Sequence, residues 1–580
     1  SNQPFWDTSN RFCIVFNGEI YNFKELRSRL ESKGIEFITN GDTEVLLYSL
    51  ITFGESILCE IEGIFAFCLY DSKKNSFLLG RDKFGVKPLY YYHDKDEGCF
   101  LFASEFKAFL EVPSFRKDIC YDSLFRTMVF LYSPGNDTLF KYVKKLPAAS
   151  LLRYEIGKNF IISQYWEWPK YDPNAEIQNV STKVEQLIDD AVKRQLISDV
   201  PIAAFLSGGI DSSLICSSVS KFKDKDARIA FSINSKTSKE DGFDDDLPYA
   251  KLVANSLNFD LNVVETPPSD LSKLLYNFVY QLDEINADPA ALNVLHICEL
   301  AREKGIKVLL SGTGGDDLFS GYRRHQALLF EKYWANLPKS VIFLIQKFAH
   351  ILPANNKLFR RLKKLLQFIE QDTNDRLVAQ HYWSHPDIVK DLFANETVIS
   401  KKPMQFIYDK LEHLETDNLL EKSLLLEREY FLRDHNLQYT DKMSMATGVE
   451  VRVPFLDTSL VEFVQSIPSA IKMKHSTAKF VLKKIMEKRF SNKLAHRSKT
   501  GFGVPLRYWI KNDLSSYVAD LLSEKKIKAR GIFAPEAIQK IVLDNNSGKK
   551  DFSYLIFALL CVEIWFQIFV DEKLDRQKVG

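Results

Sequence analysis

The stretch from Pro201 to Ser213 carries the clearest chemistry in this chain. It reads PIAAFLSGGIDSS, so an apolar run leads into two glycines and then into hydroxyl and carboxylate side chains where a helix should begin. Such a loop suits a polyphosphate for three reasons. Its backbone N–H groups are exposed, the positive end of a helix dipole lies beside it, and two of its positions have no Cβ atom. No lysine follows the second glycine, so we expect a phosphate site unlike that of the phosphoryl-transfer NTPases. A tight strand-to-helix turn with a serine N-cap is the alternative, and the complete motif favours the phosphate site.

A second glycine-rich loop, SGTGGDD at 311–317, also follows an apolar run. From the first loop onward, apolar runs alternate with helical patterns, which predicts a parallel, doubly wound α/β sheet. Ligands bind such sheets beyond the carboxyl ends of the strands, where both loops lie. The predicted strands are 201–206, 228–233, 261–265 and 307–310, and the predicted helices lie near 211–221, 247–258, 271–282 and 291–304.

The chain before about Tyr165 has a different pattern, in which short alternating strands are separated by turns. This pattern predicts a sheet-rich first domain, residues 1–165, with a helix at 23–33. A linker at 166–178, which holds two prolines, precedes a second domain, residues 179–580, that becomes mostly helical after about Gln326. The predicted strands of the first domain include 11–16, 63–70, 76–80 and 99–103.

Composition and charge narrow the class of protein. The 580 residues are 46% apolar and 26% charged, and the formal net charge is +1. This charge balance does not indicate general binding to nucleic acid or to an anionic membrane. The eight cysteines form no CxxC pair, and we expect reduced thiols in a cytoplasmic protein without a signal peptide. The apolar stretch 554–570 is interrupted by Glu563 and Gln567 and predicts a buried helix rather than a membrane span. The basic amphipathic segment 357–366 could contact a membrane surface or nucleic acid, and a solvated helix face is the simpler interpretation.

Taken in order, the motifs of the chain resemble those of the glutamine-hydrolysing (class B) asparagine synthetase family. The first part contains NGEIYN at 17–22, GDTE at 41–44, RDKFGVKPLYY at 81–91 and FASE at 102–105. The second part contains SGGIDSS at 207–213, LDE at 282–284, SGTGGDDLFSGY at 311–322, DKMSMA at 441–446, EVRVPFLD at 450–457 and KTGFGVP at 499–505. The resemblance covers nearly the whole chain.

The resemblance implies a two-site enzyme: an N-terminal αββα (Ntn-type) glutamine amidotransferase domain and a C-terminal doubly wound adenine-nucleotide (PP-loop) synthetase domain with helical additions. In the family, a terminal cysteine whose own α-amine acts as base hydrolyses glutamine, and a tunnel carries the ammonia to the second domain. There ATP adenylates a carboxylate, most often aspartate, and ammonia displaces AMP to form an amide. The implied cofactors are ATP and Mg²⁺. The implied partners are small-molecule substrates and, since the family often forms homodimers, a second copy of the chain.

The resemblance also assigns roles to individual residues. In the first domain, Asn17 and Gly18 would donate to the oxyanion formed from the glutamine amide, and Asn17, Gly18, Glu19 and Asp42 would bind glutamine. In the second domain, Asp211 and Asp316 would hold Mg²⁺, and Lys499 would stabilise negative charge during adenylation. ATP and pyrophosphate would be bound by Leu206, Ser207, Gly208, Gly209, Ser212, Ser213, Ile233, Ser311 and Gly312. Asp283, Asp441 and Arg452 stay unassigned and fit a structural ion-pair role.

The start of the chain departs from the family pattern. The sequence begins SNQP, which resembles a point well inside the family's glutaminase domain. The terminal cysteine is therefore missing, and we expect no glutamine hydrolysis by this chain. Either the chain is truncated relative to its gene product or the glutaminase has decayed, and the surviving glutamine-site residues favour truncation. Cys13 has no free α-amine and lies in a predicted strand, so we expect it to be a small core residue.

Thr313 is a second departure, because the family has an acidic residue there. A hydroxyl cannot act as a carboxylate base or pair with the α-ammonium of aspartate, and Asp317 likewise replaces a glutamate. Aspartate is nevertheless the default acceptor. The alternatives are another carboxylate, such as a uronic acid sugar of a polysaccharide, and a non-catalytic homologue that binds nucleotide.

Overall fold

The computed structural model describes residues 2–173, 175, 177–234, 246–265, 271–330, 337–351, 366, 369–497 and 503–571. Its first part contains two antiparallel sheets, one of six strands in the order β1-β2-β3-β4-β8-β9 and one of three strands in the order β6-β5-β7. The strands are β1 Phe5–Trp6, β2 Phe12–Ile20, β3 Gly63–Asp71, β4 Ser76–Arg81, β5 Tyr90–Asp94, β6 Cys99–Ala103, β7 Val143–Lys145, β8 Ser150–Glu155 and β9 Ile161–Gln164.

The two sheets pack face to face between helices. Helices Phe23–Glu31 and Asp42–Phe53 cover one face of the six-stranded sheet, where Phe65 and Phe67 of β3 point toward them. Alternate residues of β3, Ala66 and Cys68, point the other way, into the core between the sheets. Helix Tyr121–Phe130 lies beyond the three-stranded sheet, whose outer face joins the core of the second part. These layers form the expected αββα arrangement, and the predicted strands and helix are confirmed.

The second part is built on a five-stranded parallel sheet in the order β12-β11-β10-β13-β14. Its strands are β10 Ile202–Phe205, β11 Ile229–Asn234, β12 Asp260–Glu265, β13 Val308–Leu310 and β14 Glu450–Arg452. The four predicted strands are confirmed. β14 lies in the part of the sequence that indicated helix, since a three-residue strand shows no periodicity. The strand order reverses between β10 and β13, which makes their carboxyl ends the expected place for a ligand.

Helices surround this sheet, as the alternation predicted. Helix Val180–Gln195 precedes β10, and the helices between the first four strands are Ile210–Phe222, Leu247–Leu257, Leu271–Leu282 and Ala290–Glu303. Those from Gly315 to Arg489 are Gly315–Leu318, Arg323–Ala327, Lys339–Ile351, Thr373–Ala379, Pro386–Lys390, Gln405–Glu412, Leu419–Leu426, the π-helix Glu427–Leu437, Gln438–Met445, Thr458–Ser466, Ser469–Lys472 and Phe480–Arg489. The remaining ones are Asn492–Ala495, Leu506–Lys511, Ser515–Leu521, Glu524–Arg530, Pro535–Asn546 and Ser553–Trp565.

The last helix tests the prediction made for the apolar stretch 554–570. Helix Ser553–Trp565 continues as a π-helical segment to Val570, and by length and composition it could cross a membrane. It is instead 83% buried within the protein, and the Trp565 indole N–H donates to the Asp283 carbonyl at 2.6 Å. The prediction of a buried helix is confirmed. The basic segment 357–366 falls, except for buried Leu366, outside the described residues.

Candidate active sites

Three of the predicted glutamine-site residues occupy consecutive positions at the end of β2. Pairing with β3 places Asn17, Gly18 and Glu19 opposite Ala66, Phe65 and Ile64. Gly18 has a φ of +149°, and a Cβ there would lie 2.0 Å from the Ile64 carbonyl oxygen. Only glycine therefore allows this close approach of the two strands.

The side chains around this strand end are held by defined partners. The Asn17 amide donates to the Ser104 hydroxyl at 3.0 Å. Asp42, the first residue of its helix, accepts from the Ile20 backbone N–H at 3.0 Å and so ties the helix to the end of β2. Burial raises the pKa of Asp42. The structure thus brings Asp42 next to the three residues of β2, as the motifs predicted.

Glu19 makes a contact that the motifs did not indicate. Its carboxylate lies 3.3 Å from the Arg452 guanidinium of the second part. Burial raises the pKa of Glu19 to about 7, and the carboxylate of Asp42 adds to this although Arg452 opposes it. Glu19 therefore changes charge near neutral pH.

Arg452 connects the two candidate sites. Its side chain is 2% exposed and donates to the carbonyls of Gln195 and Ile197 at 2.8 and 2.7 Å and to Glu450 at 2.8 Å. Its own carbonyl accepts from the Ser311 N–H at 2.8 Å, at the start of the second glycine-rich loop. One residue at the end of β14 thus contacts Glu19 with its side chain and the nucleotide loop with its backbone.

Asp283 and Asp441, which the sequence left unassigned, also make buried ion pairs, and the Asp441 pair joins the two parts of the chain. Asp441 pairs with Lys87 at 2.9 Å, and both side chains are almost fully buried. Asp283 pairs with Lys442 at 3.0 Å, and the Lys442 ammonium also donates to the Ser104 carbonyl at 3.2 Å. The expected ion-pair role of Asp283, Asp441 and Arg452 is confirmed.

The first glycine-rich loop follows β10 and folds onto the start of helix Ile210–Phe222. The Ser212 hydroxyl lies 3.1 Å from the Ser207 hydroxyl and accepts from the Ser207 N–H at 3.3 Å. The Gly209 N–H donates to the Ser207 hydroxyl at 3.3 Å. The loop is therefore closed by its own serines, and its backbone curves around the N-terminus of the helix.

The second glycine-rich loop packs directly on the first. A Cβ at Gly312 would lie 2.8 Å from the Ser212 backbone nitrogen, so the two loops approach backbone to backbone. All the predicted nucleotide residues lie at the carboxyl ends of neighbouring strands: Leu206, Ser207, Gly208, Gly209, Ser212 and Ser213 after β10, Ile233 near the end of β11, and Ser311 and Gly312 after β13.

Asp211 and Asp316, the predicted metal ligands, converge on one ammonium group. Lys479 forms short ion pairs with both, and its nitrogen lies 2.6 Å from the Asp316 carboxylate. Burial alone would lower the pKa of Lys479, but the two carboxylates outweigh it and keep the pKa above its ordinary value. Lys479 precedes helix Phe480–Arg489 and lies 268 residues from Asp211, so no local motif marks it.

The same two carboxylates fit Mg²⁺. Oxygen ligands suit this cation, which proteins often hold through one or two carboxylates together with substrate phosphates. Asp211 and Asp316 already face a single cationic group beside the phosphate-type loop. Within the described part of the chain, no cluster of three or more His, Cys, Asp or Glu side chains offers another metal site.

The predicted catalytic Lys499 lies outside the described residues, and its role stays a prediction. The chain just before it does reach the first loop. Arg497 donates to Asp246 at 2.8 Å and stacks on Tyr249, with its ring centroid 4.6 Å away. A Cβ on Gly209 would lie 3.7 Å from the Arg497 guanidinium.

Thr313 turns toward its own loop. Its hydroxyl lies 2.8 Å from the Ser311 hydroxyl, and its N–H donates to the same oxygen at 3.2 Å. Asp317, in the same loop, accepts from the Tyr322 hydroxyl at 3.2 Å. Burial raises the pKa of Asp317 to about 8, and the carboxylates of Glu427 and Asp316 add to the effect. Asp317 therefore stays mainly protonated at neutral pH.

Comparison with known proteins gives matches over the whole chain. The family model of asparagine synthase matches residues 183–567, and that of a glutamine amidotransferase domain matches residues 1–166. The glutamine-hydrolyzing asparagine synthetase 1 of Bacillus subtilis is 29% identical over 100% of this chain and 89% of its own length. A putative glutamine-hydrolyzing asparagine synthetase of Mycobacterium tuberculosis is 27% identical over 100% of this chain and 88% of its length. The amidase chyE of Penicillium rubens is 26% identical over 93% of this chain and 84% of its length.

Proposed function

We propose a function from one premise: this chain belongs to the asparagine synthase family, and its first part is a glutamine amidotransferase domain. The chain is a ligase-type enzyme of that family. Its reaction is the ATP-dependent amidation of a carboxylate through an acyl-adenylate, with glutamine-derived ammonia as the nitrogen source and AMP and pyrophosphate as products. We also propose that the first domain spans residues 1–165 and the second residues 179–580, joined by a linker at 166–178. We further propose that the protein is cytoplasmic and forms a homodimer.

The cluster of Asp211, Asp316 and Lys479 carries this proposal. It lies between the two glycine-rich loops at the point where the strand order reverses, which is where a nucleotide would bind such a sheet. The backbone N–H groups of the first loop, at the start of a helix, would hold the phosphates. A buried lysine between two acids beside a phosphate-type loop favours an enzyme over a non-catalytic nucleotide-binding protein.

The roles of the charged residues follow from their electrostatics. Asp211 and Asp316 would hold Mg²⁺, which when bound supplies positive charge to the pyrophosphate leaving group. Lys479 stays protonated because its two carboxylate neighbours raise its pKa, so its ammonium would stabilise negative charge on the reacting phosphate. We also propose that Lys499 stabilises negative charge during adenylation.

The first site would bind glutamine at the end of β2. In the family, a terminal cysteine that the sequence does not contain attacks the amide, and Asn17 and the Gly18 N–H would donate to the oxyanion that this attack forms. Glu19 and Asp42 would pair with the α-ammonium group of glutamine, and Arg452 would compete for Glu19. The fixed strand pairing at Gly18 supports this role, because it holds the donors in place before the substrate arrives.

The proposal also concerns which carboxylate accepts the amide nitrogen. Aspartate is the default, given the names of the bacterial relatives. The second candidate is a different carboxylate, such as a uronic acid sugar. It is favoured by the hydroxyl of Thr313, which is held by Ser311, and by the amidase name of the fungal relative.

Pyrophosphate release with ATP, Mg²⁺ and ammonium chloride tests the proposal without depending on the glutamine site. Aspartate and a panel of uronic acids would be compared as acceptors, with Asp211→Asn as the site variant and exposed Asp226→Asn as the matched control. Asparagine formation supports the default acceptor, and release only with a uronic acid keeps the mechanism and changes the acceptor. A folded chain that releases no pyrophosphate with any carboxylate overturns the proposal.

A further inference from the structure

Arg497 places a guanidinium group beside the first glycine-rich loop. A Cβ on Gly209 would lie 3.7 Å from one terminal nitrogen of Arg497, so this nitrogen faces the backbone of the loop. The Arg497 side chain is only 7% exposed. Because a guanidinium does not lose its proton in proteins, the loop faces a permanent positive charge.

One turn of the protein holds both Arg497 and the loop, at the start of helix Leu247–Leu257. Asp246, which precedes the helix, accepts from a terminal nitrogen of Arg497 at 2.8 Å. The Tyr249 ring packs against the guanidinium, with its centroid 4.6 Å from the central carbon. A Cβ on Gly208 would lie 2.5 Å from a backbone nitrogen of the same helix, so the loop rests on this turn as well. The shared support fixes the position of the guanidinium relative to the loop.

Most hydrogen-bond donors of Arg497 are not used within the described part of the chain. A guanidinium has five N–H donors, and the bond to Asp246 engages one of them. Among the described residues, neither Nε nor the terminal nitrogen that faces Gly209 donates to a protein group. The fork of a guanidinium matches two oxygens of a phosphate, and bonds between these charged groups are strong. This edge of Arg497 therefore suits a phosphate that lies against the loop.

The charges of the other cluster at this site leave a role for a second cation. Lys479 is already paired with both Asp211 and Asp316. These three side chains together carry one net negative charge, so by themselves they do not attract a polyphosphate. Arg497 brings a positive charge to the loop itself, and only one of its nitrogens is engaged by an acid.

We propose that Arg497 binds the phosphate groups of ATP that leave as pyrophosphate. Its unused edge donates to their oxygens, and the backbone N–H groups of the first loop hold the same phosphates. Asp246 and Tyr249 are positioning residues, because they hold the guanidinium and do not themselves bind the phosphates. This role rests on the proposed function and adds a phosphate-binding residue outside the predicted set.

Calorimetric titration of the full chain with pyrophosphate, ATP or AMP, each with Mg²⁺, tests this proposal. Arg497→Met should weaken the binding of pyrophosphate and ATP by about 10- to 100-fold, the usual effect of losing a hydrogen bond to a charged group. AMP lacks these two phosphates, so its affinity should stay at the parent's value. Arg497→Lys keeps the charge without the fork and should restore part of the affinity. Asp246→Asn should weaken pyrophosphate binding less than Arg497→Met and should also spare AMP.

Arg507→Met is the matched control. Arg507 also pairs with an aspartate, Asp551, at 2.7 Å, and it packs on Tyr554 near the end of the chain. This variant should bind all three ligands like the parent, and thermal unfolding shows whether each variant is folded.

The outcomes separate this proposal from the proposed function. Parent-like pyrophosphate binding by folded R497M would overturn the role of Arg497 and leave the proposed function in place. An equal loss of AMP and pyrophosphate binding in R497M would also overturn it, because Arg497 would then only support the fold of the site. A parent chain that binds neither ATP nor pyrophosphate would overturn the proposed function itself, and the role of Arg497 with it.

Discussion

The two candidate sites are built in different ways. The first lies on three consecutive residues of β2, and the pairing of β2 with β3 fixes their positions. The second combines Asp211, Asp316 and Lys479, which are far apart in the chain and meet only because two strand ends and the start of a distant helix pack together. A site made by one strand can be read from its motif, whereas a site made by packing is only partly visible in the sequence.

The two sites are also stabilised by different kinds of interaction. Backbone geometry dominates the first site, since Gly18 allows a contact that no side chain could tolerate. Charge dominates the second, where one ammonium group pairs with two carboxylates. Arg452 joins the two, because its side chain contacts Glu19 and its carbonyl contacts Ser311. Substitutions should therefore affect mainly catalysis at the second site and mainly stability at the first.

Lys479→Met should have the largest effect on the reaction. It removes the positive charge between Asp211 and Asp316, and the loss of one such electrostatic group typically slows a reaction by about 100- to 1,000-fold. Pyrophosphate release measures the effect, and thermal unfolding shows whether the variant is folded. Lys484→Met is the matched control, because this lysine is on the following helix and pairs with Glu487 at 2.8 Å. A folded K479M chain with the parent's rate would remove Lys479 from the site.

Arg452→Met should have the largest effect on stability. The change leaves Glu19 and Glu450 without their cation in a buried place, and breaking such a pair usually costs about 3–5 kcal/mol. Urea unfolding measures the loss. Arg324→Met is the control, because it breaks a buried ion pair with Glu427 that lies wholly within the second part. Comparing the two variants shows whether the loss in R452M comes from breaking any buried ion pair or from breaking the link between the two sites. If R452M unfolds at the parent's urea midpoint, Arg452 does not hold the two parts together.

The sequence predicted much of this architecture because its signals are local. Apolar runs and turn residues predicted β10, β11, β12 and β13 to within a few residues, and the loops after β10 and β13 lie where the motifs placed them. β14 was not predicted, because a strand of three residues is too short to show an alternation of apolar and polar residues. Its pairing with β13 also depends on a partner far away in the sequence.

The same reasoning explains what was missed in the sites. Lys479 lies in a turn just before helix Phe480–Arg489, and its role depends on carboxylates that the fold brings to it. The Glu19–Arg452 contact likewise joins residues from the two parts of the chain. Lys499 was predicted from its motif alone, and the structure does not describe its position.

Gly18→Ala should destabilise the first part by about 3 kcal/mol, through positive-φ strain and a collision with the Ile64 carbonyl. Gly34→Ala separates the two causes. Gly34 also has a positive φ, +84°, but no atom lies within 4 Å of its Cβ position, so only about 1 kcal/mol is expected there. Urea unfolding compares the two variants. Equal losses would show that the strand contact at Gly18 is unimportant.

Glu19 should also make the stability depend on pH, in addition to Asp317, whose pKa burial raises to about 8. The ordinary glutamate pKa of 4.5 applies to the unfolded chain, whereas burial raises the pKa of Glu19 to about 7 in the folded protein. Between these values the folded state binds more protons, so the free energy of unfolding falls as pH rises, by up to about 3 kcal/mol. Glu19→Gln should flatten this part of the curve, and exposed Glu25→Gln should not. An unchanged slope in E19Q would assign the dependence to another acid.

Cys13→Ala should have the smallest effect of all. Cys13 lies on β2 four residues before Asn17, so both side chains point to the same face of the sheet. Four residues of strand span about 13 Å, too far for the thiol to reach an amide bound at Asn17. Burial also raises the pKa of the Cys13 thiol, which disfavours the nucleophilic thiolate. We expect about 1 kcal/mol of lost stability from the removed sulfur and no change in ammonia-dependent pyrophosphate release. Loss of that release in a folded C13A chain would mean that the two sites are coupled through the body of β2 and not only through Arg452.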